Sequence, residues 1–174
     1  MDTDNDKYIF NVKTVQSGAF RILVESLKEI LTDINIIFDQ SGIKLIATDN
    51  SQIVLIHMKL QAENFEYFYC EKKTTIGVNM MNMFKLIKTM NNNDTLTLFI
   101  EKDNPNRLGI KINNIEKNVQ TLFKMNLLDI SDEELSIPPA KFETELTLPS
   151  SDFQKIIRDM TNIGENIEIK SVGN

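Results

Sequence analysis

Residues 126–139, NLLDISDEELSIPP, divide the chain into two patterned parts, and any fold must accommodate that break. The stretch follows neither a helical nor a strand period. It carries four acids, Asp129, Asp132, Glu133 and Glu134, and no base. Pro138 and Pro139 close it, and proline neither donates to a β-ladder nor continues a helix. Apolar runs and turns alternate before it and start again after it. The expected organisation is a first domain over 1–125, a connector over 126–139 and a second part over 140–174. Leu127, Leu128, Ile130, Leu135 and Ile137 make the connector too apolar for a plain solvated linker. It is either pinned on a domain surface or offers these residues to a partner, and the sequence leaves both open.

The length, 174 residues, allows one domain or two small ones with enough core to fold unaided. A single cysteine, Cys70, excludes a disulfide framework and points to a reducing compartment. No apolar run approaches the roughly 18 residues that span a bilayer, so no membrane partner is expected. The acidic start, MDTDNDKY, is not a secretory signal. Abundant Ile, Asn and Lys suggest an AT-rich coding genome. The net charge of −6 argues against nucleic acid only if the charges are spread evenly, because a local field depends on where they sit.

Periodicity places strands at 8–15, 34–38, 43–48, 53–60, 65–69, 74–78, 96–100, 108–112, 119–125, 142–148 and 167–169. Helices are expected over 20–31, from Asn79 or Asn82 to Met90, and over 152–160, with Ser17 as a plausible cap of the first. In the fourth strand, Val54, Ile56, Met58 and Leu60 form the inward face. Ile53 and Leu55 then fall on the outward face, and an exposed apolar pair marks a contact site. FRIL at 20–23, FKLI at 84–87 and FQKII at 153–157 each open a helix followed by a strand, an internal repeat that resumes beyond the connector.

Each helix carries cations away from its apolar stripe. Arg21 and Lys28 are seven residues apart; Lys85 and Lys88, and Lys155 and Arg158, are three apart. Both spacings return to one helical face. Scattered surface charge is the plain alternative, and Glu25, Glu29, Asp152 and Asp159 on the same helices favour it. Three basic faces of one kind would gather a basic surface on an acidic protein. Long cations without Asn, Gln or aromatic neighbours suit phosphate contact rather than base readout. Signals for catalysis are weak. One histidine, His57, and one cysteine give no metal set. No glycine-rich phosphate loop occurs, and the paired acids lie on the connector. Met80, Met81, Met83 and Met90 read as core filler, and Cys70 as a small packed residue. No catalytic, metal or cofactor-binding residue is expected.

Three stretches resemble the sliding clamps of the proliferating-cell nuclear antigen type. They are residues 41–88, from SGIKLIATDNSQIVLIHMKL to NMMNMFKLIK; the connector with LLDISDEELSIP; and LPSSDFQKIIRDMTNIGE at 148–165. The likeness runs from about Phe10 to Asn174. It implies an α+β DNA-clamp fold, with helices packed on one face of antiparallel sheets, complete for one domain and begun for a second. It implies a homotrimeric ring around double-stranded DNA that holds DNA polymerase and other replication and repair enzymes and is opened by a clamp loader. Arg21, Lys28, Lys85, Lys88, Lys155 and Arg158 would face DNA. Thr48, Gln52, Ile53, Leu55, Leu135 and Ile137 would form the pocket for a partner's short motif with paired aromatics. Thr48 and Gln52 replace a Met and a His common at that rim, which implies altered partner preference. The expected location is the nucleus, or a replication compartment if the source is viral. The family's ring closes on a second-domain strand that this sequence does not contain. The resemblance therefore implies a fragment that does not form the standard ring and whose unpaired strands dimerise or aggregate. A clamp-like scaffold that never encircles DNA is the alternative, and an enzyme is a third class for which no pocket chemistry speaks.

Overall fold

Alternation builds the first strand. β1 (Tyr8–Thr14) turns Phe10, Val12 and Thr14 inward and Lys13 outward. The computed structural model describes residues 4–131, 141 and 145–170. α1 (Ser17–Lys28) follows, with Phe20, Leu23, Val24 and Leu27 at helical spacing on its inner side. Ser17, expected as a cap, instead lies inside the helix, and Gln16 takes the cap position without a side-chain bond. The Ser17 hydroxyl is fully buried and donates to the Asn91 carbonyl at 2.8 Å, a partner far away in sequence that no local signal reveals.

β2 (Asp33–Asp39), β3 (Gly42–Thr48) and β4 (Leu55–Gln61) form a meander. Gly42 makes the first of its turns at φ +139°, and a Cβ there would lie 1.9 Å from the Leu60 carbonyl oxygen, so only glycine fits. β4 was expected from Ile53 but begins at Leu55. The backbone N–H groups of Ile53 and Val54 go to the Asp49 carboxylate, and Thr48–Leu55 is the last strand pair. β5 (Tyr67–Cys70) and β6 (Thr74–Asn79) lead into α2 (Met80–Ile87). Asn79 caps α2 by accepting from the Asn82 N–H at 2.9 Å. β7 (Thr95–Glu101), β8 (Arg107–Asn114) and β9 (Val119–Asn126) complete a second meander.

The strands form two antiparallel sheets, ordered β5-β1-β7-β8-β9 and β4-β3-β2-β6. The orders reveal a twofold internal plan. β1-α1-β2-β3-β4 and β6-α2-β7-β8-β9 are the same succession of elements. The leading strand of each joins the other's meander, β1 beside β7 and β6 beside β2. The two halves therefore cannot separate without breaking both sheets. α1 and α2 pack against each other and feed Val24, Leu27, Met80, Met83 and Ile87 into a core shared with both sheets. Phe10 of β1 and Phe38 of β2 stack at 4.0 Å between ring centroids, joining the sheets through the core. Burying each such side chain contributes about 1.5–3 kcal/mol. Met80, Met83 and Met90 are buried as expected, whereas Met81 is 44% exposed on the outer side of α2. Cys70 is packed, and burial pushes its thiol pKa up.

Residues group into two compact units, Met1–Leu135 and Ser136–Asn174. The second contains α3 (Ser150–Thr161), whose Phe153, Ile156, Ile157 and Met160 recur on one face. The strands expected over 142–148 and 167–169 are not found where the structure describes them. Residues 142–144 lie outside the described residues, and 145–148 and 167–169 have no ladder partner among those described. Alternation is a local property, whereas a strand exists only beside another strand.

Candidate functional site

Two surfaces carry the expected site residues. The first is the helix layer. Arg21 and Lys28 project from one flank of α1, towards α2. Arg21 and Lys88 line a single cleft at the α2 end, with Asn91, Asn92 and Asn114 on its walls. The Arg21 Nε is buried and has no hydrogen-bond partner among the described residues. Such an orphaned donor costs about 1–3 kcal/mol. Ser17 stitches this region together by joining the start of α1 to the backbone after α2.

Lys28 differs from the expected free cation. Its side chain is only 11% exposed, its ammonium lies 4.7 Å over the Phe84 ring of α2, and it pairs with Glu29. It joins the two helices by a cation–π contact. Lys85 and Lys88 are exposed on α2 and form no ion pair among the described residues. Lys155 and Arg158 are exposed on α3, opposite its apolar stripe. α3 belongs to the second unit.

The expectation that asparagine is absent near these cations is corrected by the structure. The cleft asparagines come from the loop after α2 and from β8, segments that the helical pattern of α1 does not foresee. Asn91, Asn93 and Asn114 are committed within the protein, Asn91 donating to Asp94 at 3.4 Å. Asn114 donates to the buried Asp94 carboxylate at 2.7 Å, and Asn93 donates to Glu116 at 3.1 Å. They therefore shape the cleft, and phosphate contact remains the chemistry that Arg21 and Lys88 suit.

The second surface lies on the turn between β3 and β4. Ile53 is 83% exposed, and Val54 and Leu55 are nearly half exposed. Thr48 is half-buried opposite Leu55, and Gln52 sits in the left-handed region at φ 58°. One side chain organises the turn. The Asp49 carboxylate accepts from the N–H groups of Ile53 and Val54, each at 2.8 Å, and from the Ser51 hydroxyl. These bonds, the Ser51 hydroxyl first, hold the Asp49 pKa below its ordinary value. Ile56, Met58 and Leu60 face the core while Leu55, His57 and Lys59 face out, as the alternation indicated, but Val54, expected inward, precedes the strand and is exposed because the Asp49 turn holds its backbone.

Leu135 and Ile137, expected to complete this surface, lie outside the described residues, as do Asp132, Glu133 and Glu134. The root of the connector is described, and it is pinned. Leu127 packs against the core, and its N–H donates to the Asn106 carbonyl at 3.0 Å. Leu128 forms an isolated antiparallel bridge with Gly77 of β6, its N–H donating to the Gly77 carbonyl at 2.8 Å. Asn35 of β2 donates from its amide to the Ile130 carbonyl at 3.3 Å. Gly77, Asn35 and Asn106 were not among the expected site residues. The one legible signal was a glycine in the middle of an otherwise β-branched strand, which marks close backbone approach.

Comparison with known proteins identifies the family of the chain. The family model described as proliferating cell nuclear antigen, N-terminal domain, matches residues 9–134, and that for the C-terminal domain of the same antigen matches residues 136–173. A probable DNA polymerase sliding clamp 1 of Paramecium bursaria Chlorella virus 1 is 35% identical over 170 residues, covering 98% of this chain and 65% of the relative. The proliferating cell nuclear antigen of Chaetomium thermophilum is 31% identical over 156 residues, covering 90% of this chain and 60% of the relative. The chain thus spans less than two thirds of the length of either relative. With two antiparallel sheets, an α+β fold and family matches that together cover nearly its whole length, the chain belongs to the proliferating cell nuclear antigen family.

Proposed function

We propose that the chain acts as a DNA sliding clamp, a processivity factor for DNA polymerase and a docking platform for replication and repair enzymes, with no chemistry of its own. The observation that carries this is the helix layer. An acidic protein of net charge −6 keeps Arg21 and Lys88 in one cleft and leaves Lys85 exposed beside it. A backbone phosphate is the ligand that would satisfy the orphaned Arg21 donor and lie beside the Lys88 ammonium. Lys155 and Arg158 on α3 would extend the same task, and Lys28 would support it by holding α1 to α2. Topological retention on double-stranded DNA lets each contact stay weak enough for sliding. The assembled form expected of a full-length chain is a homotrimer placed on DNA by a clamp loader, in a nucleus or a viral replication compartment. Partner motifs with paired aromatics would dock on Ile53 and Leu55, rimmed by Thr48 and Gln52 and completed by Leu135 and Ile137 from the connector over 126–139.

Combining Lys85→Ala, Lys88→Ala and Arg158→Ala in the full-length ring tests this. Primer extension by a clamp-dependent polymerase, with the clamp loader present, should give shorter products per binding event. Product lengths equal to wild type would remove these side chains from the DNA-facing surface.

A scaffold that does not encircle DNA is favoured by one observation. The outward side of α1 presents Ile22, Glu25 and Glu29, and Glu29 pairs with Lys28. Retention on closed circular DNA that is lost on linearisation supports the clamp; equal loss from both forms supports the scaffold.

A further inference from the structure

We propose that Gly77 and Asn35 are positioning residues that fix the root of the connector, so that the affinity for a partner motif is set on β6 and β2 as well as in the pocket itself. The inference rests on the docking surface proposed above. Glycine in a strand interior costs about 0.5–1 kcal/mol relative to alanine. β6 is otherwise suited to its role, with Thr74, Thr75, Ile76 and Val78 around Gly77. Nothing in the backbone angles of Gly77 demands glycine, because its φ is not in the left-handed region. The space demands it. A Cβ at Gly77 would lie 2.2 Å from the Leu128 carbonyl oxygen and 3.0 Å from Ile130 Cγ1. The missing side chain is therefore what admits the connector.

β6 is an edge strand of its sheet, and an edge offers unpaired backbone groups. Leu128 takes up one such position. Two residues on, the Ile130 carbonyl is held by Asn35, the cross-strand partner of Gly77 on β2. The chain thus steps from β6 to β2, in the direction of β3 and β4, where Ile53 and Leu55 stand exposed. A connector rooted in this register keeps Leu128 and Ile130 fixed when a partner binds. One released from it must be ordered on binding, at a cost in affinity.

The test uses the 174-residue chain, Gly77→Ala, Asn35→Ala and Ile53→Asp. Calorimetry with a peptide bearing paired aromatics is combined with amide exchange at Leu128 and with thermal melting. Gly77→Ala should speed exchange at Leu128 and weaken the peptide about tenfold, the scale of losing preorganisation, with a smaller shift in the same sense for Asn35→Ala. Ile53→Asp should abolish binding while exchange at Leu128 stays at the wild-type rate. If Gly77→Ala does not fold, Asn35→Ala, which adds no atom against the connector, decides. Unchanged exchange at Leu128 in Gly77→Ala overturns the anchor, and faster exchange with undiminished affinity, or weaker binding that merely follows a lower Tm, overturns its hold on affinity. Peptide affinity untouched by Ile53→Asp overturns the docking surface instead, and exchange at Leu128 still reports on the anchor by itself.

Discussion

Asp49 illustrates how much one carboxylate can decide. Two consecutive N–H groups, of Ile53 and Val54, end on it, so the chain leaves the turn with Ile53 facing solvent. Its pKa is lowered from an ordinary 3.8, with the Ser51 hydroxyl the largest cause. A depressed carboxyl pKa means that the ionised form is favoured by the fold. The turn should therefore hold fully above the ordinary value and loosen as pH falls through the lowered one. In an NMR titration the Ile53 and Val54 amide signals should move together with a midpoint below 3.8, and Asp49→Asn should remove the transition. Asp39 follows the same rule more strongly. The Lys44 ammonium and the Ser41 hydroxyl hold it at about 2, so the β2–β3 turn should outlast the β3–β4 turn on acidification. The exposure of Ile53 and Leu55 was legible in the sequence, but alternation accounts for Leu55 alone, since Ile53 precedes the strand and Val54, on the other face, is exposed as well. Asp49 was not legible, since a turn aspartate looks the same whether or not it collects the amides that follow it.

Elements differ in how far their causes reach. The apolar stripes of α1 and α2 are local, and spacing alone located both helices. The α2 cap was legible too, because Asn79 acts on Asn82 three residues away. The start of α1 was not. Ser17 looked like a cap, yet its hydroxyl is spent on Asn91 and Asn92, across the helix layer. The sequence contains both ends of that bond but nothing that pairs them. The same reasoning covers the cleft asparagines beside Arg21, which a helix, a loop and a hairpin assemble jointly. Ser17→Ala should leave an unsatisfied buried carbonyl and cost about 1–3 kcal/mol. Asn79→Ala should cost about 1 kcal/mol for the lost cap. Urea unfolding should show both losses with unchanged slope. A Ser17→Ala protein as stable as wild type would mean that α1 and α2 are held by apolar packing alone.

At the scale of the molecule, the exchange of leading strands between the two halves leaves β5 and β9 as the outer strands of one sheet and β4 and β6 as those of the other. Pairing across the chain made this topology illegible from periodicity, although the repeated helices hinted at it through Phe20 and Phe84. β9 carries the more apolar edge. Val119 and Leu122 are each about half exposed, and Lys117 and Lys124 flank them. A strand edge with apolar side chains is a template for another strand. On that ground the 174-residue chain should associate with itself through β9 as its concentration rises. Leu122→Glu places a charge in that contact while sparing the core, since Leu108, Ile110 and Met125 make the buried contacts of this corner. Light scattering should show the variant shifted towards monomer at concentrations where wild type is associated, with Tm nearly unchanged. Equal association in both would move the subunit contact away from β9, to one of the other outer strands of the two sheets, β4, β5 or β6.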